Sequence, residues 1–185
     1  MDYPKKHKLK NNATGWLLRG VLHRFDGPAY TNTNGRKDWY MYGKRHRIDG
    51  PAIIYNAGKE WWVDGKRHRE NGPAVIWETG ATSWWLNGKL HRIDGPAMIH
   101  DCGTREWWVD GKRHRNDGPA YMGYDGHNEW YLNGVLHRID GPAIETPVHS
   151  NEWWIHGTQM TKEEFNHYVS NEPQKQSSDV LVKLD

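Results

Sequence analysis

Six copies of the motif His-Arg-x-x-Gly-Pro-Ala are the feature of this 185-residue chain whose residue types could do chemistry. Histidine can bind a metal or move a proton, and arginine can bind an anion. The intervals between the motif histidines are 23, 22, 23, 23 and 23 residues, and the histidines are His23, His46, His68, His91, His114 and His137. Metal binding, anion binding, catalysis and a purely structural role are therefore the readings to compare.

The spacing of the motif argues against a metal site. Hairpins that add two strands per repeat place equivalent residues roughly 9.5 Å apart, because neighbouring strands lie about 4.8 Å apart. Zinc ligands lie about 2 Å from the metal, so adjacent repeats cannot share one ion. We predict no metal ligand and no cofactor. Instead we expect a hydrogen-bonded ladder in which each motif arginine faces an acid, as in the pairs Arg47 and Asp49, Arg92 and Asp94, and Arg138 and Asp140.

Positive charge is densest in the three segments that begin at Lys44, Lys66 and Lys112. Cations interleaved with aromatic rings suit a nucleic acid or nucleotide, since phosphates bind cations and bases stack on rings. Acids recur in every repeat, however, and the net charge is only +2, so a solvated edge that discourages aggregation is the favoured interpretation. Binding of nucleic acid, nucleotide or phospholipid head groups stays open as an alternative, with Arg45, Arg47, Arg67, Arg69, Arg113 and Arg115 as candidates.

Catalysis has no signature in this sequence. It contains no phosphate-binding loop, no Gly-x-Ser-x-Gly elbow and no Cys-x-x-Cys pair. Any catalytic residue in the motif would occur six times, so we predict no catalytic residue and a protein that is not an enzyme. Cys102 is the single cysteine, which favours a reducing, cytoplasmic location. No apolar run is long enough to predict a membrane span.

An aromatic strand precedes each turn glycine. Trp lies four residues before a Gly seven times, from Trp16 to Trp153. Side chains alternate between the two faces of a strand, so we expect this Trp and the aliphatic residue two positions on to form the core face. The position between them is also aromatic, at Tyr40, Trp62, Trp85, Trp108, Tyr131 and Trp154. Either the sheet curls to cover both faces, or these six rings form an exposed stripe that binds a partner.

Short β-hairpins must position these residues. The dipeptides Asp64-Gly65, Asn87-Gly88, Asp110-Gly111 and Asn133-Gly134 tolerate the positive φ of tight turns. We therefore predict an all-β fold, an elongated single-layer antiparallel sheet of tandem 23-residue hairpin repeats with two short strands in each. The predicted segments are a loosely ordered N-terminal arm at 1–15, six repeats and a truncated seventh at 16–160, a short capping helix at 161–170, and a linker and tail at 171–185 that ends in a strand-like run, Asp179–Asp185.

The string Trp62-Val63-Asp64-Gly65-Lys66-Arg67-His68, repeated with small changes, resembles the MORN repeat (membrane occupation and recognition nexus) over roughly residues 16–160. The resemblance implies a twisted single-layer sheet of successive hairpins that acts as a scaffold or binding surface. The family usually has Gly after the His, where this chain has Arg. The Gly-Pro-Ala extension is similar to repeats in proteins of bacteriophages and large DNA viruses, which implies a viral source.

These observations lead to one expected function. We expect a non-enzymatic scaffold that binds a protein partner through the six aromatic positions, as a viral factor that engages or inhibits a host protein in the host cytoplasm. Nucleic acid or nucleotide is the less favoured partner. Exposed sheet edges and aromatic rings also favour self-association.

Overall fold

The computed structural model describes residues 2–171. The chain divides into two compact units, Met1–Lys112 and Arg113–Asp185. The predicted final strand at Asp179–Asp185 and the linker before it lie outside the described residues. Within the described part, no helix has the length and apolar character that crossing a membrane requires.

The first unit contains an antiparallel sheet in which each strand pairs with the sheet strand that comes next along the chain. Its strands, in spatial order, are β1 (Lys5–Lys8), β2 (Thr14–Leu18), β4 (Tyr30–Thr31), β5 (Lys37–Asp38), β8 (Ile53–Tyr55), β9 (Gly58–Glu60), β12 (Val75–Trp77), β13 (Thr82–Ser83), β16 (Met98–Ile99) and β17 (Arg105–Glu106). Glu60 lies opposite Ile53 on one side and opposite Val75 on the other. The predicted all-β antiparallel fold is confirmed.

Each repeat also contributes a tight two-stranded hairpin beside this sheet. The hairpin strands of the first unit are β3 (Val21–Leu22), which pairs with β2, then β6 (Tyr40–Met41) with β7 (Lys44–Arg45), β10 (Trp62–Val63) with β11 (Lys66–Arg67), and β14 (Trp85–Leu86) with β15 (Lys89–Leu90). β18 (Trp108–Val109) and β19 (Lys112–Arg113) follow at the boundary of the units. A repeat thus provides four short strands where the sequence predicts two. The additional strands were missed because segments such as Lys66–Arg67 hold few residues with a high β propensity.

The hairpin turns have the predicted geometry. Asp64 has a φ of 49° and Gly65 a φ of 79°, so both central residues lie in the left-handed region that a type I′ turn requires. The same pair of positive φ angles recurs at the turns that begin with Arg19, Tyr42 and His156, which are residue types less suited to it.

Backbone hydrogen bonds join each hairpin to the next. Gly65 N–H donates to the carbonyl oxygen of Arg45 at 2.9 Å, and Arg47 N–H donates to that of Trp62 at 3.0 Å. The repeat Trp connects the hairpin to the sheet, since Trp61 N–H donates to Ala74 O at 2.8 Å and Trp61 O accepts from His68 N–H at 3.1 Å. Successive repeats are therefore tied through their main chains.

The core differs from the predicted one. The repeat Trp residues are only half-buried. The alanines of the motif are fully buried instead, and they are Ala29, Ala52, Ala74, Ala97, Ala120 and Ala143. These alanines lie where the sheet and the hairpin share hydrogen bonds, and a small side chain permits that close approach. Ile53 and Val75 add the larger buried side chains.

The second unit has the same design and ends in a helix. β20 (Tyr121–Met122), β21 (Asn128–Glu129) and β24 (Ile144–Glu145) form its sheet, β22 (Tyr131–Leu132) pairs with β23 (Val135–Leu136), and β25 (Trp153–Ile155) pairs with β26 (Thr158–Met160). Helix α1 (Lys162–Asn171) packs against β25 and β26 and buries Phe165. Glu164 N–H donates to Thr161 Oγ1 at 3.2 Å, and Thr161 N–H donates to Glu164 Oε2 at 2.8 Å, which confirms the predicted capping box and helix.

The N-terminal arm is better ordered than expected. β1 pairs with β2 from Lys5 opposite Leu17 to Lys8 opposite Thr14. The Lys-Lys-His-Lys sequence of β1 gives no strand signal, because lysine has a low β propensity. Pairing with the otherwise free edge of β2 supplies the order that local sequence does not.

Candidate partner-binding face

The motif arginine forms a brace that holds each repeat together. The Arg47 guanidinium lies over the Trp39 ring at 4.2 Å, its Nε donates to Asp49 Oδ1 at 3.0 Å, and its Nη1 donates to Pro51 O at 3.3 Å. A Cβ on Gly50 would lie 3.1 Å from Arg47 Cζ, so the motif glycine gives the guanidinium room. We call this arrangement the motif brace. It confirms the predicted pairs Arg47 and Asp49, Arg92 and Asp94, and Arg138 and Asp140.

The motif histidine holds the turn of the next hairpin. His46 Nδ1 lies 3.2 Å from Asp64 N and 2.9 Å from Asp64 Oδ1, and the tautomer decides which contact is a hydrogen bond. In the second unit His137 Nδ1 accepts the N–H of His156 at 3.1 Å. The histidines thus belong to the predicted structural ladder. Within residues 2–171, no group of three or more His, Cys, Asp and Glu side chains is placed to hold a metal ion.

The six aromatic residues predicted to bind a partner are all half-buried. Four belong to the first unit, Tyr40, Trp62, Trp85 and Trp108, and we call these four the aromatic row. Tyr131 and Trp154 occupy the equivalent positions in the second unit. The repeat Trp residues on the opposite face are half-buried as well. Both faces of the aromatic strand are therefore partly covered and partly accessible.

A row of acidic residues supports these rings, and sequence reasoning missed it. These residues directly precede the repeat Trp, and they are Asp38, Glu60, Ser83, Glu106, Glu129 and Glu152, with Ser83 as the neutral exception. Trp62 Nε1 donates to Glu60 Oε2 at 3.0 Å, and Trp85 Nε1 donates to Ser83 Oγ at 2.7 Å. Because these residues lie two positions before the ring they bind, strand alternation could have placed both on one face.

Further ring contacts follow the same rule. Trp108 Nε1 donates to Glu106 Oε2 at 3.1 Å, and in the second unit Trp154 Nε1 donates to Glu152 Oε2 at 2.9 Å. Burial, together with a hydrogen bond to Glu129, raises the pKa of Tyr131. The ring N–H groups of the four Trp residues in this set are thus already bonded within the chain. What remains accessible is apolar ring surface.

Cationic side chains lie between the rings of the aromatic row. The Arg45 guanidinium lies 5.7 Å from the Tyr40 ring and 5.3 Å from the Trp62 ring. Arg67 lies 5.2 Å from both Trp62 and Trp85. The next repeat has Leu90 at this position. In the second unit Arg113 lies 5.4 Å from the Tyr131 ring.

Most of the arginines proposed for anion binding are already bonded. Arg47 belongs to a motif brace, Arg69 Nη1 donates to Pro73 O at 3.0 Å, and Arg115 Nε donates to Asp117 Oδ1 at 2.8 Å. Arg67 Nε donates to Glu60 Oε2, and Arg113 Nη1 donates to Glu129 Oε2, both at 3.0 Å. Arg45 differs, because its nearest carboxylate, Asp38, is 3.8 Å away. These contacts leave little free charge for a polyanion along the described repeats.

Sequence reasoning also missed an exposed apolar position in the motif. The residue after the motif Arg is apolar in four repeats, and its exposed fraction is 66% for Phe25, 75% for Ile48, 63% for Ile93 and 42% for Ile139. The other two repeats have Glu70 and Asn116 there. The motif position itself was the available signal, since it lies outside the strands, two residues before the motif glycine.

No family model matches the sequence, and no curated protein matches it. Function must therefore be inferred from the residues and contacts of the chain itself.

Proposed function

We propose that the chain is a non-enzymatic scaffold of the MORN-repeat type, which binds a protein partner through the aromatic row and through Tyr131 and Trp154. The observation that carries this proposal is the repeated half-buried ring whose polar atom is bonded inside the chain, as in Trp62 and Trp108. A partner therefore meets apolar ring surface without leaving a ring N–H unpaired. Trp, Tyr and Arg are the residues that dominate the energetics of protein interfaces.

The support around each ring also favours binding. Trp62 is held by the Glu60 carboxylate and lies between the guanidinium groups of Arg45 and Arg67. Ordering a mobile side chain on binding costs about 0.5–1.5 kcal/mol, and rings that are already fixed avoid most of that cost. A preorganised row of rings is therefore suited to a partner that makes several contacts in succession.

Differences between repeats supply specificity within the aromatic row. At Ser83 and Leu90 the acid and the cation of the other repeats are both absent. Leu90, which lies opposite Trp85, thus presents an apolar side chain where other repeats have a cation. Desolvated aromatic pockets near the middle of an interface commonly dominate the binding free energy. We place the strongest contribution to binding at Trp85 and Trp108.

The proposal extends to a viral factor that engages or inhibits a host protein in the host cytoplasm. Its support is the His-Arg-x-x-Gly-Pro-Ala form of the repeat, which is similar to repeats of bacteriophage and large-virus proteins. Binding without catalysis is supported by the repeated structural use of the motif His and Arg side chains. In the motif brace and the turn contacts, both are engaged within the chain.

Affinity capture at high salt tests the proposal. The immobilised chain is compared with the double variant Trp85→Ala/Trp108→Ala and with the control Ile48→Ser/Ile93→Ser, which removes exposed side chains outside the row. We expect one stoichiometric protein that the native chain and the control retain and the double variant loses. Circular dichroism and thermal unfolding establish that each variant is folded, and Trp85→Leu/Trp108→Leu replaces the double variant if it unfolds.

Two results would contradict the proposal. Equal capture by the folded double variant would remove the aromatic row from the binding site. Recovery of nucleic acid or phosphorylated compounds that salt releases would favour the anion-binding alternative, because such binding weakens steeply with salt.

A further inference from the structure

We propose that Arg45 is a carboxylate-binding site, at which an acidic side chain of the protein partner binds the guanidinium between Tyr40 and Trp62. The inference rests on the proposed function and identifies one chemical feature of the partner. Arg45 lies in β7, directly opposite Tyr40 of β6. It is therefore part of the hairpin that presents the start of the aromatic row.

The hydrogen-bonding capacity of Arg45 is unused. Its Nε is buried and has no hydrogen-bond partner among the described residues. Its Nη2 lies 3.8 Å from Asp38 Oδ2, which is beyond hydrogen-bond distance. The equivalent residue of the next repeat, Arg67, donates from Nε to Glu60 Oε2 at 3.0 Å. The two arginines occupy the same repeat position but differ in this contact.

Arg36 is the reason for this difference. Its Nε donates to Asp38 Oδ1 at 2.7 Å, and its Nη2 donates to Asp38 Oδ2 at 2.9 Å. Such a two-point contact is the strongest arrangement for this pair of groups. Aspartate is also one methylene shorter than the glutamate of the next repeat. Asp38 is consequently committed to Arg36 and leaves Arg45 without an acceptor.

A count of the arginines and acids around the first two rings of the row, Tyr40 and Trp62, gives the same result. Arg36, Arg45 and Arg67 supply three positive charges, and Asp38 and Glu60 supply two negative charges. The sum is one positive charge. Asp38 bonds Arg36 and Glu60 bonds Arg67, so the excess charge belongs to Arg45.

The position of Arg45 determines the kind of ligand. About a third of its side chain, 34%, is exposed, so a group from outside can reach it. The Tyr40 and Trp62 rings lie 5.7 and 5.3 Å from the guanidinium and partly shield it from water, which strengthens a charged hydrogen bond. A carboxylate matches the planar guanidinium and cancels a single positive charge.

Side-chain NMR of the full chain, labelled with ¹⁵N-arginine, tests this site directly. The probes are a triglutamate peptide blocked at both ends, the matching triglutamine peptide and inorganic phosphate. The Arg45 signal is assigned by its loss in Arg45→Gln. We expect triglutamate to shift the Arg45 side-chain signal saturably, while triglutamine leaves it unchanged.

Variants separate this site from general surface charge. Arg45→Gln should weaken triglutamate binding roughly tenfold or more, which is the effect of removing a hydrogen bond to a charged group. Arg105→Gln removes one exposed arginine outside the row and should bind the peptide like the native chain. Arg45→Lys keeps the charge without the planar fork and should give an intermediate loss. It also serves as the folded variant if Arg45→Gln unfolds.

Each outcome is decisive for the site. Equal peptide binding by folded Arg45→Gln, or by Arg45→Lys, overturns the inference, and so does an Arg45 signal that moves no more than that of Arg105. A response to phosphate without a response to triglutamate would replace the carboxylate site by a phosphate site. If capture of the partner fails with Trp85→Ala/Trp108→Ala but not with Arg45→Gln, this inference fails and the proposed function stands. If triglutamate titrates Arg45 while the double variant still captures the partner, the site stands and the proposed function fails.

Discussion

The repeats contain two sets of contacts between arginine and aromatic rings, and the two sets differ in regularity. In the motif brace the guanidinium lies 3.9–4.3 Å from the ring centre, and the residues are Arg and Trp each time: Arg24 on Trp16, Arg47 on Trp39, Arg69 on Trp61, Arg92 on Trp84 and Arg138 on Trp130. In the aromatic row the guanidinium lies 5.2–5.7 Å from the ring centre. The cation position of the row also varies, since it holds Arg45 and Arg67 in two repeats and Leu90 in the next. Contacts that build every repeat stay the same, whereas those at the candidate binding face vary.

The number of contacts explains this contrast. A brace arginine such as Arg92 bonds Asp94 and the Pro96 carbonyl while it covers the Trp84 ring. Lysine has neither the planar fork nor the stacking surface for all three. In the aromatic row Arg67 bonds a single acid, Glu60, so such a pair can be lost together, as at Ser83 and Leu90.

The largest effect should come from restoring only half of the charged pair in the fourth repeat, which has Ser83 and Leu90 at these positions. Ser83 is fully buried, so Ser83→Glu places a carboxylate there without the arginine that Glu60 has. We expect a loss of about 3 kcal/mol in the free energy of unfolding, measured by urea denaturation, because an unpaired buried charge is strongly destabilising.

Adding Leu90→Arg to that variant should recover about 1 kcal/mol or more of the free energy of unfolding, because interacting neighbours show coupling of this size in a double-mutant cycle. Leu90→Arg alone is the matched control. Strict additivity of the two changes would show that the acid and the cation of the aromatic row do not act as a pair.

Removal of a brace arginine should have the next largest effect. Arg92→Ala deletes the cover of the Trp84 ring and two hydrogen bonds at once, and we expect a loss of about 2 kcal/mol in the free energy of unfolding. Arg105→Ala, at an exposed position outside the brace, should change it by less than about 0.5 kcal/mol. Similar losses in the two variants would refute the structural role of the brace.

Acid should destabilise the first repeat through its motif histidine. His23 is fully buried between the rings of Phe25 and Tyr42, and its Nδ1 accepts the N–H of Tyr42 at 2.9 Å. Burial lowers the pKa of His23 from its ordinary value of 6.5, so the folded state favours the neutral ring. The contribution of neutral His23 to the free energy of unfolding is therefore fully present above about pH 6.5. It falls as the pH drops from there towards the lowered folded-state pKa.

Chemical denaturation at a series of pH values measures this effect. His23→Gln, which cannot be protonated, should show a smaller slope between stability and pH. Some slope remains, since burial and the neighbouring His156 also lower the pKa of His137. An unchanged slope in His23→Gln would contradict the assignment.

The smallest effect concerns a hairpin turn rather than either set of contacts. Arg19 has a φ of 49°, a conformation that asparagine adopts more easily. Arg19→Asn should raise the free energy of unfolding by about 0.5 kcal/mol, since the exposed pair of Arg19 with Asp2 contributes little. Asn87→Ala should act in the opposite direction. Thermal unfolding compares the two, and a lower melting temperature for Arg19→Asn would contradict the turn assignment.

Local rules account for the features that the sequence predicted correctly. Asp64-Gly65 specifies its turn, Thr161 and Glu164 specify the start of the helix, and Arg47 reaches an acid two residues away. Each of these depends on residues that are close in the sequence.

The burial of the alanines and the order of the N-terminal arm were missed because they depend on pairing between strands. Strand alternation suggested a Trp core because it treats one strand in isolation. In the structure Ala74 is fully buried, and its carbonyl accepts the N–H of Trp61 from the preceding hairpin of the same repeat. The strand at Lys5–Lys8 likewise owes its order to the edge of β2.

The central claim is that the motif brace maintains the fold while the aromatic row binds the partner, and Trp84 and Trp85 test it as adjacent residues on opposite faces. Urea denaturation and capture of the partner are measured for Trp84→Ala and Trp85→Ala. We expect Trp84→Ala to lose more unfolding free energy, by about 1 kcal/mol or more, because it removes the ring of a brace. Its folded fraction should bind the partner normally, while Trp85→Ala stays folded and loses binding. Loss of binding in Trp84→Ala with normal binding in Trp85→Ala would contradict this division between the two faces.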